Sequence, residues 1–190
     1  EYTLGGTYTG LVLYRKEKGQ WVFDRKLDGL KESCRIMVKD EDQSIWISHP
    51  YRGVYNVRWN AGNKDKIDIR FFNQENGLPT NLNNYVFQIA GKAVFATEKG
   101  VFHFDRSKDT FVPDDDFNRL LDKQHRVRYL REDTKGNVWY VTDHEAGMLI
   151  VNDFGLKKEV RKKVIPELAG KLVGGFEFLL PIDGHNMIIG

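Results

Sequence analysis

The chain has 190 residues, of which 41% are hydrophobic and 29% charged, a composition typical of a soluble globular domain with a substantial core. No stretch of the sequence approaches the roughly 18 consecutive apolar residues that a membrane-spanning helix needs. The 29 basic and 27 acidic residues give a net charge of +2 and are spread along the chain, which argues against a dedicated nucleic-acid-binding surface.

The first residues, Glu1–Gly6, have neither the basic start nor the apolar core of a signal peptide. Because the chain also lacks an initiator Met, we expect it to be a segment of a longer protein. Cys34 is the single cysteine, so no intrachain disulfide can form, and its apolar neighbours indicate a buried side chain. The basic residues of 157–163 are interpreted as the solvated face of an outer strand.

Four segments of the chain repeat one pattern, in which an apolar strand, a short polar loop ending in glycine and a second apolar strand follow each other. The loop glycines Gly10, Gly53, Gly100 and Gly147 are separated by 43, 47 and 47 residues. A period of about 40–50 residues built from short strands is typical of β-propeller blades. In the first copy, Gly5-Gly6 stands where the strand before the loop should be, and we interpret that strand as missing.

A third and a fourth strand complete each unit. Apolar strands precede the loop-forming pair, at 35–39, 85–90, 127–131 and 176–181, and further strands follow it, at 20–23, 68–72 and 110–112. Polar turns such as Asp40–Gln43 and Glu132–Asn137 join the first two strands. Only Phe117–Asp122 and Ile165–Leu172 could form a turn or two of helix.

These patterns predict an all-β fold: a β-propeller segment of about four four-stranded antiparallel blades. The predicted boundaries are 1–30 (strands three and four of a cut blade), 31–80, 81–120 and 121–172 (whole blades) and 173–190 (strands one and two of a cut blade). We expect 85–90, 93–97, 101–105 and 110–114 to form one blade, with Phe95 facing a neighbouring blade. No helix longer than three turns is expected within 34–115.

The ends of the segment allow two geometries. We favour an open arc of a larger propeller, because no sequence feature demands closure, over a small ring closed by its own ends. An arc exposes apolar faces and strand edges. We therefore expect Leu11–Tyr14 to contact Met187–Ile189, within one chain or between chains, or the protein to form oligomers such as a homodimer.

Three sequence motifs carry a resemblance to a known family. They are the connection Asn76–Asn81, the turn and strand Asp133–Thr142, and the loop and strand Ala96–Asp105. They are similar, respectively, to the connection, to the turn with its strand and to the loop with its strand in the two-component regulator propeller repeat. The tandem copies of this repeat together cover essentially the whole chain. Several copies are degenerate: the connection is reduced at 28–31, 118–121 and 168–171, and Phe95 and Ile188 stand where tryptophan is usual.

The resemblance implies that this chain is part of the periplasmic sensor region of a hybrid two-component histidine kinase, best known from gut Bacteroides. The parent protein is then expected to carry propellers of about seven blades, a membrane span, a kinase core and a DNA-binding output module, coupled by phosphorelay. For this chain the resemblance implies ligand sensing and signal transduction, no catalysis and no cofactor. Its expected partners are an oligosaccharide and the remaining blades, with the membrane contacted only through the parent protein and no nucleic acid bound.

Two other classes of function stay open. The first is a propeller enzyme acting on glycans, such as a lyase or a sialidase-like hydrolase, and the second is a purely structural protein–protein scaffold. Asp133, Gly136 and Trp139 resemble the Asp-box turn of sialidase-like propellers, but that turn is a folding element, and no carboxylate pair stands out. Asp143–Glu145 and Asp114–Asp116 are weak metal candidates, Trp59 is a weak sugar-stacking candidate, and no metal site is predicted.

The loops between second and third strands are the predicted ligand site, because they and the blade-to-blade connections open on one face of a propeller and loops on rigid scaffolds often carry function. Aromatic, Arg, His and carboxylate side chains together suit a polyhydroxylated, acidic carbohydrate. Tyr51 and Arg52 are the strongest candidates. The full set is Tyr8, His49, Tyr51, Arg52, Glu98, Lys99, Asp143, His144 and Glu145.

Overall fold

The computed structural model of the protein describes residues 1–59, 67–121, 125–154, 157–168, 179–182 and 186–189. Within them the chain forms three four-stranded antiparallel sheets, one three-stranded sheet and one two-stranded sheet. Every sheet is built from consecutive strands that pair with their neighbours in chain order. This confirms the predicted all-β fold.

The strands follow one another along the chain with short turns between them. Sheet 1 contains β1 (Tyr2–Thr7), β2 (Gly10–Glu17) and β3 (Gln20–Lys26), and sheet 2 contains β4 (Ile36–Lys39), β5 (Ile45–His49), β6 (Gly53–Trp59) and β7 (Ile67–Phe72). Sheet 3 contains β8 (Tyr85–Ile89), β9 (Lys92–Thr97), β10 (Gly100–Asp105) and β11 (Thr110–Pro113). Sheet 4 contains β12 (Val127–Glu132), β13 (Val138–Thr142), β14 (Ala146–Phe154) and β15 (Lys157–Val164), and sheet 5 contains β16 (Leu179–Pro181) and β17 (Met187–Ile189).

The first strands of successive sheets lie side by side. Strand β4 contacts β8, β8 contacts β12, and β12 contacts β16. The sheets therefore follow each other like propeller blades, with their first strands innermost. Sheet 1 and sheet 5 are not hydrogen-bonded to each other within the described ranges, so the arrangement is not closed.

The core is divided into layers between consecutive sheets. Trp46 of sheet 2 and Phe95 of sheet 3 are fully buried in one layer, with their ring centroids 5.2 Å apart in an edge-to-face arrangement. Trp139 lies in the layer between sheets 4 and 5, against Leu179 of sheet 5. The prediction that Phe95 faces a neighbouring blade is confirmed, and the tryptophans Trp46 and Trp139 also pack between sheets. Phe95 does not replace a tryptophan, however, because Trp46 and Trp139 face the following sheet whereas Phe95 faces the preceding one.

The prediction that the first unit lacks its second strand is wrong, because Tyr2–Thr7 forms β1 and pairs with β2 along its whole length. Its glycines were interpreted as loop residues, but Gly6 is needed in the strand. A Cβ there would lie 2.0 Å from the Cys34 carbonyl oxygen. The Thr7 carbonyl accepts a hydrogen bond from the Cys34 amide at 2.9 Å, so a long-range contact holds this strand in place.

Helix is scarce among the described residues. The α-helix α1 (Asp115–Leu121) overlaps the predicted turn at 117–122, and a 3-10 turn at Pro166–Leu168 falls within the second predicted stretch, whose residues 169–172 lie outside the described ranges. A third helical turn, the 3-10 turn Gln74–Asn76, was not predicted; the Asn73 side chain caps it by accepting from the Glu75 amide at 2.8 Å. Asp114, a weak calcium candidate, accepts a hydrogen bond from the Phe117 amide at 3.1 Å and so caps α1. No helix among the described residues has the length and the apolar character to cross a membrane.

Two aspartates hold the turns between first and second strands. The buried Asp133 carboxylate accepts hydrogen bonds from the Trp139 indole at 3.2 Å and from the Lys135 and Asn137 amides at 2.8 and 2.9 Å. Asp40 holds the Trp46 indole in the same way, at 3.0 Å. These turns are folding elements, in agreement with the interpretation of Asp133–Trp139 from the sequence.

Candidate functional site

The loops between second and third strands lie on one face of the protein with the connections between sheets. The Asn83 amide donates to the Pro50 carbonyl at 3.0 Å, and the Asp143 amide donates to the Arg126 carbonyl at 3.2 Å, so each loop contacts a neighbouring connection. We name this surface the loop face. It comprises the loops 7–10, 49–53, 97–100 and 142–146 with the described residues of the connections 27–35, 73–84 and 114–126.

The geometry of these loops follows from their sequence. In three of them a threonine hydroxyl accepts a hydrogen bond from the backbone amide two residues later and donates to a carbonyl across the turn; these are Thr7, Thr97 and Thr142. In the fourth, His49 Nδ1 accepts from the Tyr51 amide at 3.2 Å. Gly53 closes that loop at a φ of +111°, and a Cβ there would lie 2.3 Å from the Phe72 carbonyl oxygen. The turns are thus held rigidly below their exposed side chains.

His49, Tyr51 and Arg52 form a cluster with Glu32, which comes from the connection between sheets 1 and 2. The Glu32 carboxylate accepts from Arg52 Nη1 at 2.6 Å and lies 3.5 Å from His49 Nε2. The rings of His49 and Tyr51 are 6.2 Å apart, and 74% of Tyr51 is exposed. We name these four residues the His49 cluster. It presents an exposed aromatic ring beside a charged pair.

Sequence reasoning missed Glu32 because it lies in a connection rather than in a loop between strands. Its acidic side chain, close to the degenerate Gly29-Leu30 motif on the predicted loop face, was the available signal. A carboxylate at that position is the natural partner of the predicted Arg52.

Glu98 is joined to the same region through Asn83. Its carboxylate accepts a hydrogen bond from Asn83 Nδ2 at 2.8 Å, while the Asn83 amide donates to Pro50 beside the His49 cluster. Asn83 adopts a φ of +56°, a conformation that asparagine tolerates better than most residues. The adjacent Lys99 is exposed. The second and third loops are therefore brought together by a conformationally constrained amide.

The three predicted residues of the fourth loop have separate partners. Asp143 lies 4.0 Å from Arg128 Nε, and the His144 ring is 4.3 Å from that of His125. Glu145 accepts from the Tyr140 hydroxyl at 3.1 Å and pairs with Lys162. Burial, together with the charge and the hydrogen bond of Glu145, raises the pKa of Tyr140.

Metal binding at Asp143–Glu145 has no support in this arrangement, because the three side chains turn to different partners. Within the described part of the chain, no three His, Cys, Asp or Glu side chains come together as metal ligands.

Tyr8 lies in the first loop and is 75% exposed, with the Arg35 guanidinium 5.9 Å from its ring centroid. The structure therefore brings His49, Tyr51 and Arg52 together, links Glu98 to them, and leaves Tyr8 and the fourth loop on other sheets. Trp59, a weak candidate for sugar stacking, is half-buried and packs edge-on against Tyr2 at 6.1 Å between the first two sheets. It is part of the core.

Comparison with known proteins gives structural neighbours only. No protein-family model matches the sequence, and no curated protein matches it significantly. The fold is similar to that of the extracellular domain of BT4673 from B. thetaiotaomicron, described as a hybrid two-component system, with a TM-score of 0.46 and 11% identity over 99% of this chain and 32% of that chain. A second structure of that extracellular domain, described there as belonging to a one-component system, has a TM-score of 0.37 and 13% identity over 84% of this chain and 29% of that one. The chain spans about a third of the length of these structures.

Proposed function

We propose that this chain is a ligand-sensing segment of the extracytoplasmic region of a hybrid two-component sensor histidine kinase and that it detects an oligosaccharide. The observation that carries the proposal is that the sequence motifs of the two-component regulator propeller repeat coincide with structural elements of consecutive sheets. In the connection motif, Gly77 has a φ of +91° and a Cβ there would lie 2.4 Å from the Phe111 carbonyl oxygen. Leu78 is buried between sheets 2 and 3.

The other two motifs also have structural roles. Asp133 and Trp139 form the turn of sheet 4, and Gly100, at a φ of +89°, closes the loop of sheet 3. Because each motif residue meets a specific demand of the blade, the motifs support common ancestry with that repeat rather than chance similarity of β-strands.

An oligosaccharide is the ligand class that best suits the loop face. The exposed Tyr51 ring offers a flat apolar surface for the C–H face of a sugar. Beside it, the guanidinium of Arg52 and the carboxylate of Glu32 can donate to and accept from vicinal hydroxyls. The pair is held at the surface by a turn that His49 fixes, so little ordering is required when a ligand binds.

A binding role is favoured over catalysis on glycans. Three carboxylates of this face that lie beside the candidate residues are engaged with neighbouring groups: Glu32 with Arg52, Glu98 with Asn83 and Glu145 with Lys162. A glycosidase needs two carboxylates free to face a scissile bond. The proposal therefore includes no enzyme activity and no cofactor for this chain.

The proposal also covers the cellular location and the partners of the segment. We propose that the chain lies in the periplasm, that the remaining propeller blades of a longer protein are its intramolecular partners, and that it assembles as a homodimer. The membrane would be contacted only through the rest of that protein, and no nucleic acid would be bound.

The test is calorimetric titration of the protein with a panel of neutral and acidic oligosaccharides, repeated with Tyr51→Ala and Arg52→Ala. We expect each variant to weaken binding of a recognised glycan about tenfold, because each removes a stacking ring or a charge-assisted contact. Trp21→Ala and Arg15→Ala are matched controls, since both side chains are exposed beside the opposite end of sheet 1. Unchanged binding by both loop-face variants, or no binding of any glycan, would contradict the proposal.

A further inference from the structure

A groove runs along the first strands of sheets 2, 3 and 4. It has a volume of about 600 Å³ and is lined by residues 35–39 on and before β4, 86–88 of β8 and 129–133 on and after β12. We propose that this inner-strand groove binds the carboxylate or sulfate groups of an acidic saccharide. The inference rests on the proposed function for its ligand class but concerns a different site, which shares only Arg35 with the loop face.

The walls of the groove are fixed by contacts between successive strands. Gln88 Nε2 of β8 donates to the Lys39 carbonyl of β4, and the Ala90 amide after β8 donates to the Glu132 carboxylate of β12 at 2.8 Å. Strand β8 also contacts both β4 and β12 directly. The groove is therefore a built feature of the fold, with its polar groups held in place before a ligand arrives.

Among the described residues, the basic side chains of the groove have no acidic partners. Arg35, Lys39 and Arg131 are exposed, and none of them forms an ion pair with a carboxylate of the described residues. The lining also contains Glu132, which accepts from the Ala90 amide, and Asp133, which holds its own turn. Both keep their negative charge, so three basic and two acidic side chains leave the lining with a net charge of +1. A concave surface with a positive balance and three cations outside ion pairs attracts anions, because the low-dielectric walls concentrate the field.

A second cleft also contains three arginines, but these form ion pairs with aspartates. It has a volume of about 170 Å³ between the outer parts of sheets 2 and 3, and its arginines are Arg58, Arg70 and Arg106. Each of them pairs with an aspartate: Arg58 and Arg106 with Asp42, and Arg70 with Asp109 at 2.7 Å. All three arginines of that cleft are therefore held in ion pairs, whereas the three cations of the inner-strand groove form no ion pair with a described carboxylate.

The middle of the groove is aromatic. Phe87 and Tyr129, from adjacent strands, both line it with their ring centroids 4.9 Å apart. Arg35 stands at the end that opens on the loop face, next to the exposed Tyr8 ring, and Lys39 and Arg131 stand at the other end. Four residues of extended strand separate Arg35 from Lys39, about 13 Å. Cations at both ends of an aromatic wall suit a short chain of sugar rings bearing acidic groups.

The test is titration of the protein with three probes: an oligogalacturonate, which carries carboxylates, a chondroitin sulfate oligosaccharide, which adds sulfates, and neutral cellohexaose. Each titration is repeated with Arg35→Gln and Arg131→Gln, and with Lys18→Gln as a control that removes the same charge at an exposed hairpin. We expect at least one acidic probe to bind, and each groove variant to weaken that binding about tenfold. The control should bind as the parent does, and added salt should weaken binding.

The outcomes separate this site from the loop face. The groove is supported if an acidic probe binds more tightly than cellohexaose and if both groove variants weaken its binding. Comparison of the affinities of the two acidic probes then shows whether the groove recognises carboxylates or sulfates. Binding weakened by Tyr51→Ala and Arg52→Ala but not by the groove variants overturns the groove and leaves the proposed function standing. Binding of cellohexaose as tight as that of the acidic probes, or no binding of an acidic probe, also overturns it.

Discussion

Asp40 links the turn of sheet 2 to the neighbouring sheet 3, and its removal tests how the blades are held together. Its carboxylate is 6% exposed and accepts from the Trp46 indole at 3.0 Å and from the Glu41 amide at 2.9 Å within its own sheet and turn. It also accepts from the Ala93 amide at 2.9 Å and from Arg106 Nη2 at 2.5 Å, both in sheet 3. The substitution Asp40→Ala therefore leaves four donors without their acceptor at once, of which the Glu41 amide belongs to an exposed residue that water can reach.

The loss of unfolding free energy depends on which of those donors can form hydrogen bonds to water instead. A buried donor without an acceptor costs about 1–3 kcal/mol, and the Trp46 indole and the Ala93 amide are both buried. The Arg106 side chain is 39% exposed and keeps Asp42 at 3.3 Å, so it adds little. We expect Asp40→Ala to lower the free energy of unfolding by about 4 kcal/mol, and Asp40→Asn, which keeps one acceptor oxygen, by about half as much.

The assay is thermal and urea unfolding followed by circular dichroism and tryptophan fluorescence. For a domain of this size a loss of about 4 kcal/mol lowers Tm by about 8–16 °C. Asp109→Asn is the matched control for Asp40→Asn: it removes the charge of an ion pair between the same two sheets, and asparagine tolerates the φ of +53° at this position. Because the carboxylate and Arg70 are both exposed, Tm should hardly change. If Asp40→Asn and Asp109→Asn have equal effects, burial of the carboxylate is not what joins the sheets.

Two further predictions concern ionisable groups. Burial would raise the pKa of Asp42 and Asp133, but hydrogen bonds from Ser44 and from Asn137, respectively, with further donors, lower both below the ordinary 3.8. A carboxyl group whose pKa is lower in the folded than in the unfolded state stabilises the fold at every pH above its unfolded-state pKa, and this stabilisation is lost as the pH falls towards the folded-state pKa. The urea midpoint should therefore stay level from pH 7 to 5 and decrease as the pH falls below about 4. A midpoint that rises on acidification would refute this. For Cys34, burial and then the charge of Glu32 raise the pKa from 9.0 to about 11, so at pH 8 its thiolate fraction is about a hundredfold lower than in the unfolded chain. Reaction with Ellman's reagent should be slower in native protein than in guanidinium by at least that factor, and equal rates would show that the thiol is not protected.

The strands of sheets 2, 3 and 4 could be predicted because their signals are local. Alternating apolar residues, a glycine at each loop and aspartate at the Asp40 and Asp133 turns specify strand and turn within a few residues. Antiparallel neighbours joined by short turns leave little choice of pairing, and the blade β8–β11 was predicted within one residue at each end. The strand β1 was missed because Gly5 and Gly6 carry no side-chain signal, and what requires glycine at position 6 is the Cys34 backbone, brought there by the fold.

The same distinction applies to the candidate sites. The loop positions of Tyr8, Tyr51 and Arg52 follow from the repeat, because a blade exposes that loop whatever its neighbours are. The partnership of Glu32 with Arg52, which are 20 residues apart, and the convergence of Arg35, Lys39 and Arg131 on one groove have no local signature. The sequence alone determined the blades and the loops that they expose; the tertiary structure decided which charges meet, because residues from different sheets become neighbours only when the first strands line up.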